Sequence, residues 1–104
     1  MKRVAFWSAR GGSGRTMALA NVAVILAHRR CRVVVRDLNP CGLLHRYLGG
    51  KKYDAPFTVH GVTYADDINY ATFANADYEL LNYPTGGRCH VEGHSPDILV
   101  PVLT

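Results

Sequence analysis

The residue types that could do chemistry gather near the amino end, in Ser8-Ala9-Arg10-Gly11-Gly12-Ser13-Gly14-Arg15-Thr16. Three glycines within four positions let a backbone turn tightly and approach a ligand with no Cβ in the way. Successive backbone N–H groups in such a loop point into one concavity, which suits phosphate oxygens. A helix opening near Arg15 would add the positive end of its dipole to the same spot. Arg15 stands where such loops place a cation for the β- and γ-phosphates of a nucleotide. Thr16 stands where a hydroxyl would ligate Mg²⁺. The alternative is a glycine-rich turn before a buried helix, with no ligand.

A loop of this kind needs a strand before it and a helix after it. Lys2 to Trp7 reads as a short buried strand with Val4, Phe6 and Trp7. Thr16 to Arg29 reads as a helix. From Met17 to Ala27 its only polar residue is Asn21, so it is expected to lie beneath other layers. Arg32-Val33-Val34-Val35-Arg36 reads as a second strand, parallel to the first, which completes a βαβ unit. Asp37-Leu38-Asn39-Pro40 falls at its carboxyl end, the edge where α/β sheets hold ligands. The same four residues also suit a plain turn.

These motifs resemble the ParA/MinD-type ATPases, whose deviant Walker A loop reads x-K-G-G-x-G-K-S/T. Arg10 takes the place of the signature Lys and Arg15 that of the P-loop Lys. The strict Walker A pattern is not met, because Ala9 replaces its first Gly and Arg15 its Lys. Thr16-Met17-Ala18-Leu19-Ala20-Asn21-Val22-Ala23 is similar to the next helix of one branch, in which Arg at the second cationic position is usual. Asp37-Leu38-Asn39-Pro40 resembles the family's D-x-D-P with Asn39 in place of the second acid. Gly42 to Leu48 is similar to P-G-L-H-R-Y of the same branch. Asp77 to Gly86 resembles the Walker B-like strand, with Asn82 where its terminal Asp would hold Mg²⁺ through water. Pro96 to Thr104 resembles the strand P-D-V-L-V-L-x-F-T.

The resemblance implies an α/β, P-loop NTPase-like three-layer fold with a mostly parallel sheet. Against the family pattern it is truncated after the Walker B-like and following strands. It implies ATP and Mg²⁺ as cofactors and a homodimer that sandwiches the nucleotide. Gly11, Gly12, Ser13, Gly14, Arg15, Thr16 and Met17 would bind the nucleotide. Arg10, Arg15 and Asp37 would be the catalytic positions, and Thr16 and Asp37 the metal ligands. Phosphoryl transfer depends on charge placed around Mg²⁺ and the attacking water. With Asn39 and Asn82 in place of two acids, hydrolysis is expected to be weak or lost. A non-catalytic interaction module is the alternative, and a basic nucleic-acid-binding module a third reading.

The 104 residues fit one domain, and 48% hydrophobic with 19% charged content is globular rather than disordered. No apolar run reaches the roughly 18 residues of a membrane span. No secretory leader is visible, and Cys31, Cys41 and Cys89 show no CxxC spacing, so a reducing cytoplasm is expected. The formal charge is +4, with Arg29, Arg30, Arg32 and Arg36 around one helix-to-strand junction and Lys51-Lys52 beyond it. That cluster suits either a helix carboxyl terminus or non-specific DNA. Residues 50–76 read as a shortened insert or linker. Phe57 to His60 and Val62 to Tyr64 are strand-like around Gly61, and Asp66 to Ala76 is patterned as a short helix. Gly49-Gly50 would close a helix over Gly42 to Leu48, in which His45 reads as a surface or capping residue rather than a base. Glu79 puts a charge into a central strand. Cys89, His90, Glu92 and His94 lack the paired spacing of a zinc site.

Overall fold

The computed structural model describes residues 1–10, 14–39, 42–66, 73–86 and 93–102. Strand β1 (Lys2–Trp7) leads to helix α1 (Arg15–His28) and strand β2 (Val33–Asp37). The short helix α2 (Leu44–Tyr47) and a 3-10 turn (Lys52–Asp54) precede β3 (Phe57–Val59), β4 (Val62–Asp66), β5 (Tyr78–Asn82) and β6 (Ile98–Pro101). The described strands form one sheet in the order β3-β4-β2-β5-β1-β6. Every pairing is parallel except β3 with β4. The expected βαβ unit is present, but β5 lies between its two strands and pairs with both.

The stretch that read least clearly supplies two strands. His60 and Gly61 both have positive φ, 56° and 81°, and close a two-residue hairpin between β3 and β4. That conformation matches the right-handed twist of the strands it joins. β4 then lies parallel to β2, so residues 57–66 extend the sheet rather than link its parts. The helix expected over Asp66 to Ala76 falls largely on residues 67–72, outside the described residues. Asp66 ends β4, and Phe73 to Ala76 is a turn closed by Ala76 N–H on the Phe73 carbonyl.

Alternation along the strands divides the sheet into two faces. One buries Val4, Phe6, Val33, Val35, Val62, Tyr64 and Leu80 against Leu19, Ala20 and Ala23 of α1 and Leu44 and Leu48 of the α2 segment. The other carries Ala5, Leu81, Tyr83 and Leu38 beside Trp7, and Val34, Ala65 and Ala76 beside Phe73. Both described helices thus cover the same face. The α/β class stands as expected, while the third layer is not among the described residues.

Two expectations change for physical reasons. Helix α1 is not surrounded: Met17, Asn21, Val22 and Ile25 are exposed, because the sheet covers only one side of it. Glu79 is not a stray charge in β5. It is 4% exposed, with Arg36 Nε 3.5 Å and Arg3 Nε 3.8 Å from its Oε1. β1 and β2 flank β5, so the acid takes a cation from each neighbouring strand, which is how a buried charge is tolerated.

Among the described strands β6 lies at an edge and pairs only with β1. The Val102 N–H donates to the Trp7 carbonyl, so by alternation the nitrogen of Pro101 faces outward, where proline lacks a hydrogen to offer.

Candidate functional site

The carboxyl ends of four adjacent strands meet beside the start of α1. Asn82 of β5 is in register with Asp37 of β2, and Asp37 with Asp66 of β4. Alternation puts all three on the helix-covered face, two positions beyond Leu80, Val35 and Tyr64. All three are buried, at 0%, 5% and 7% exposure. Ser8 lies just past the end of β1 and is buried as well.

Gly14 caps α1 with φ 81° and ψ 13°, a left-handed conformation that favours glycine. Nothing lies within 4 Å of where its Cβ would be, so the backbone angle and not space selects glycine there. The chain enters the helix directly from this residue, with the Ala18 N–H on the Gly14 carbonyl at 2.8 Å. Gly11, Gly12 and Ser13 lie outside the described residues. Arg10 and Met17 are exposed, Thr16 is half-buried, and Arg15 is buried.

Arg15 does not reach out over the loop. Its guanidinium turns back into the protein, where Nε donates to Asn82 Oδ1 at 2.8 Å and Nη1 donates to Ser8 Oγ at 2.8 Å. Ser8 Oγ in turn donates to the Arg10 carbonyl at 3.1 Å. Asn82 Nδ2 donates to Asp37 Oδ1 at 2.8 Å and reaches Thr16 Oγ1 at 3.5 Å. Arg15, Asn82 and Asp37 therefore form one chain of hydrogen bonds, with a neutral amide between the two charges. Burial lowers the Arg15 pKa, and the nearby Asp37 carboxylate partly offsets that by favouring the cation.

Asp37 is enclosed by donors. Oδ1 also accepts from the Asn39 N–H at 3.3 Å, and Oδ2 accepts from the Leu44 N–H at 3.2 Å. Gly42 packs so closely that a Cβ there would overlap the carboxylate. The acid ties the turn after β2 to the start of α2, work that N–H donors complete without a cation. The described residues give Asp37 three donors and no second carboxylate hydrogen-bonded to it.

No family model matches the chain, and no curated protein matches it.

The remaining candidates separate by position. Asn39 lies at the same edge, with its Nδ2 3.5 Å from Thr85 Oγ1. His45 of α2 is half-buried and meets the Tyr64 ring edge-on, with centroids 6.2 Å apart. Arg36 leaves the basic cluster, being 3% exposed and committed to Glu79, while Arg29, Arg30 and Arg32 are exposed. Cys89, His90 and Glu92 lie outside the described residues, as does Cys41. Among the described residues no group of three His, Cys, Asp or Glu side chains is placed to share a metal, and no described helix is long and apolar enough to cross a membrane.

Sequence reasoning missed Ser8 and Asp66. Ser8 was visible as the next same-face position after Phe6 in β1. Asp66 was hidden because β4 itself was not assigned a place in the sheet.

Proposed function

We propose that the chain binds an adenine nucleotide at the loop between β1 and α1, and hydrolyses it weakly or not at all. The observation that carries this reading is the left-handed Gly14 at the amino end of α1, beside the carboxyl edge of a parallel sheet. A helix amino terminus at that edge is a ready anion site. Weak hydrolysis follows from Asn39 and Asn82, which stand where the resemblance has acids and cannot act as carboxylate bases. In the sandwich dimer that the resemblance implies, exposed Arg10 is the residue that would cross to the partner's phosphates. Calorimetric titration with ATP tests the reading. Binding is expected, with a loss of about tenfold or more in Arg10→Ala, a variant at an exposed position. No binding to folded protein, or turnover on the order of 1–100 per second as in kinases, sinks it.

The second reading is a non-catalytic interaction module. One observation favours it: Met17, Val22 and Ile25 on α1, and Ile98 and Leu99 on β6, are each 37–54% exposed. The nucleic-acid reading is weakened by the loss of Arg36 from the basic surface.

A further inference from the structure

We propose that a second ligand site lies at the end of the sheet opposite Asp37 and Asp66, and that it takes a small carboxylate on an apolar body, held by Arg32. The proposal is independent of the nucleotide reading.

β2 and β4 run parallel, so their amino ends lie together, away from the edge that carries Asp37 and Asp66. A cavity of about 390 Å³ opens there. Three stretches line it: Cys31 to Val34, then Gly61 with Thr63, then Phe73 to Ala76. Small-molecule sites measure roughly 300–1,000 Å³, so the space suits a ligand near the small end of that range. Val34 and Thr63 are in register on β2 and β4, and alternation turns both away from α1. Val34 and Ala76 are 3% and 8% exposed, so the apolar area still open to a ligand comes mainly from half-buried Phe73 and Cys31. Thr63 Oγ1 lies 2.9 Å from Thr58 Oγ1, so its hydroxyl is satisfied across the hairpin. With apolar walls this modest, the charged head of the ligand decides what is held.

The charge at the cavity has one sign. Its lining contains Arg32 and no acid. Arg29 and Arg30, just before it in the chain, are exposed as well. Among the described residues no carboxylate pairs with the Arg32 guanidinium. Asp77 is close by, but it is turned to the backbone: its Oδ2 accepts from the Arg32 N–H at 2.8 Å. The Asp77 and Tyr78 N–H groups donate in turn to the Arg32 carbonyl, at 2.8 and 3.1 Å. These bonds fix the backbone that carries the cation and leave its side chain unpaired. A planar guanidinium meets a carboxylate through two parallel N–H···O bonds, a match that a neutral head group does not offer. Asn75, exposed in the same lining, is the other side chain there with an amide N–H to give.

Naphthoate and naphthamide, alike in size and different in charge, provide the test, with the full chain followed by amide shifts in NMR spectra. Naphthoate is expected to shift the Val34, Thr63 and Ala76 amides, and to bind about fivefold or more tightly than naphthamide. Arg32→Gln, a change at an exposed position, is expected to lower naphthoate affinity to that of naphthamide. Absence of shifts at these amides in the folded chain overturns the proposal, and so do shifts centred on α1 instead. Equal affinity for the two ligands, or full naphthoate affinity in Arg32→Gln, overturns carboxylate recognition by Arg32. Any of these failures leaves the nucleotide reading standing, because ATP plays no part in the measurement.

Discussion

Arg15 Nε donates to Asn82 Oδ1 at 2.8 Å, joining the first residue of α1 to the last residue of β5, with both residues buried. The contact fixes where the helix starts relative to the sheet edge. Removing one partner of a buried charged hydrogen bond costs far more than the bond's net worth, because the other is left unpaired. Asn82→Leu is expected to destabilise by about 3–5 kcal/mol in urea unfolding. Arg15→Lys, which keeps the charge but not the fork that serves Ser8 and Asn82 together, is expected to cost about 1–3 kcal/mol. A loss under about 0.5 kcal/mol in both variants would show that the network does not anchor α1.

Tyr64 offers a pH signature. Its hydroxyl is buried with no hydrogen-bond partner among the described residues, and burial, with Asp37 and Asp66 nearby, raises its pKa well above the ordinary 10.0. The folded chain holds this proton longer than the unfolded chain does. The corresponding stability is complete below about pH 10 and is lost as pH rises through the raised value. Tyr64→Phe is expected to stay within about 1 kcal/mol of the parent at neutral pH, since the hydroxyl has no bond to lose. It should unfold less steeply with alkali than the parent, by circular dichroism. An unchanged alkaline profile would place the transition on other groups, Arg15 among them.

The two sides of α1 should respond differently to substitution. Leu19 is 0% exposed and packs on the sheet, so Leu19→Ala is expected to cost about 2–5 kcal/mol. Ile25 is 54% exposed, so Ile25→Gln is expected to change stability by no more than about 0.5 kcal/mol. Thermal unfolding of the two variants decides it. A large loss for Ile25→Gln would mean that the outer side of the helix is covered in solution.

Glu79 tests the charge placed between strands. Glu79→Ala removes the carboxylate 3.5 Å from the buried Arg36 guanidinium, and a loss of about 3–5 kcal/mol is expected. Glu79→Met combined with Arg36→Met should recover much of that loss, because an apolar pair of similar volume often replaces a buried ion pair without penalty. No recovery in the double variant would mean that Arg3 and other neighbours set the cost.

The legible parts of the fold were those whose local pattern and tertiary role coincide. β1, α1 and β2 follow apolar runs, and their ends shift by no more than a residue, as helix and strand ends do, whereas β5 was expected only from the resemblance, over a longer span. The α2 turn was legible through Gly49, which has φ 76°. What did not follow was anything set by a partner strand. Phe57 to Asp66 is too short and mixed to announce that it pairs with β2, and Glu79 looked misplaced until Arg3 and Arg36 stood on either side of it. At the site, residue types were readable but directions were not. Arg15 in sequence looks like a phosphate ligand, yet its direction depends on Ser8 and Asn82, 7 and 67 positions away.

The two rims of the sheet bear on how the protein keeps to itself in a crowded solution. An open strand edge is a template on which other chains can polymerise into fibrils. At one rim β3 is only three residues long, too brief to seed such growth. At the other, Pro101 removes one outward donor from a four-residue strand whose Ile98 and Leu99 are exposed. Among the described strands a single imino acid thus interrupts the donors of this outer edge, and Pro101→Val is expected to raise the chain's tendency to aggregate, read by light scattering.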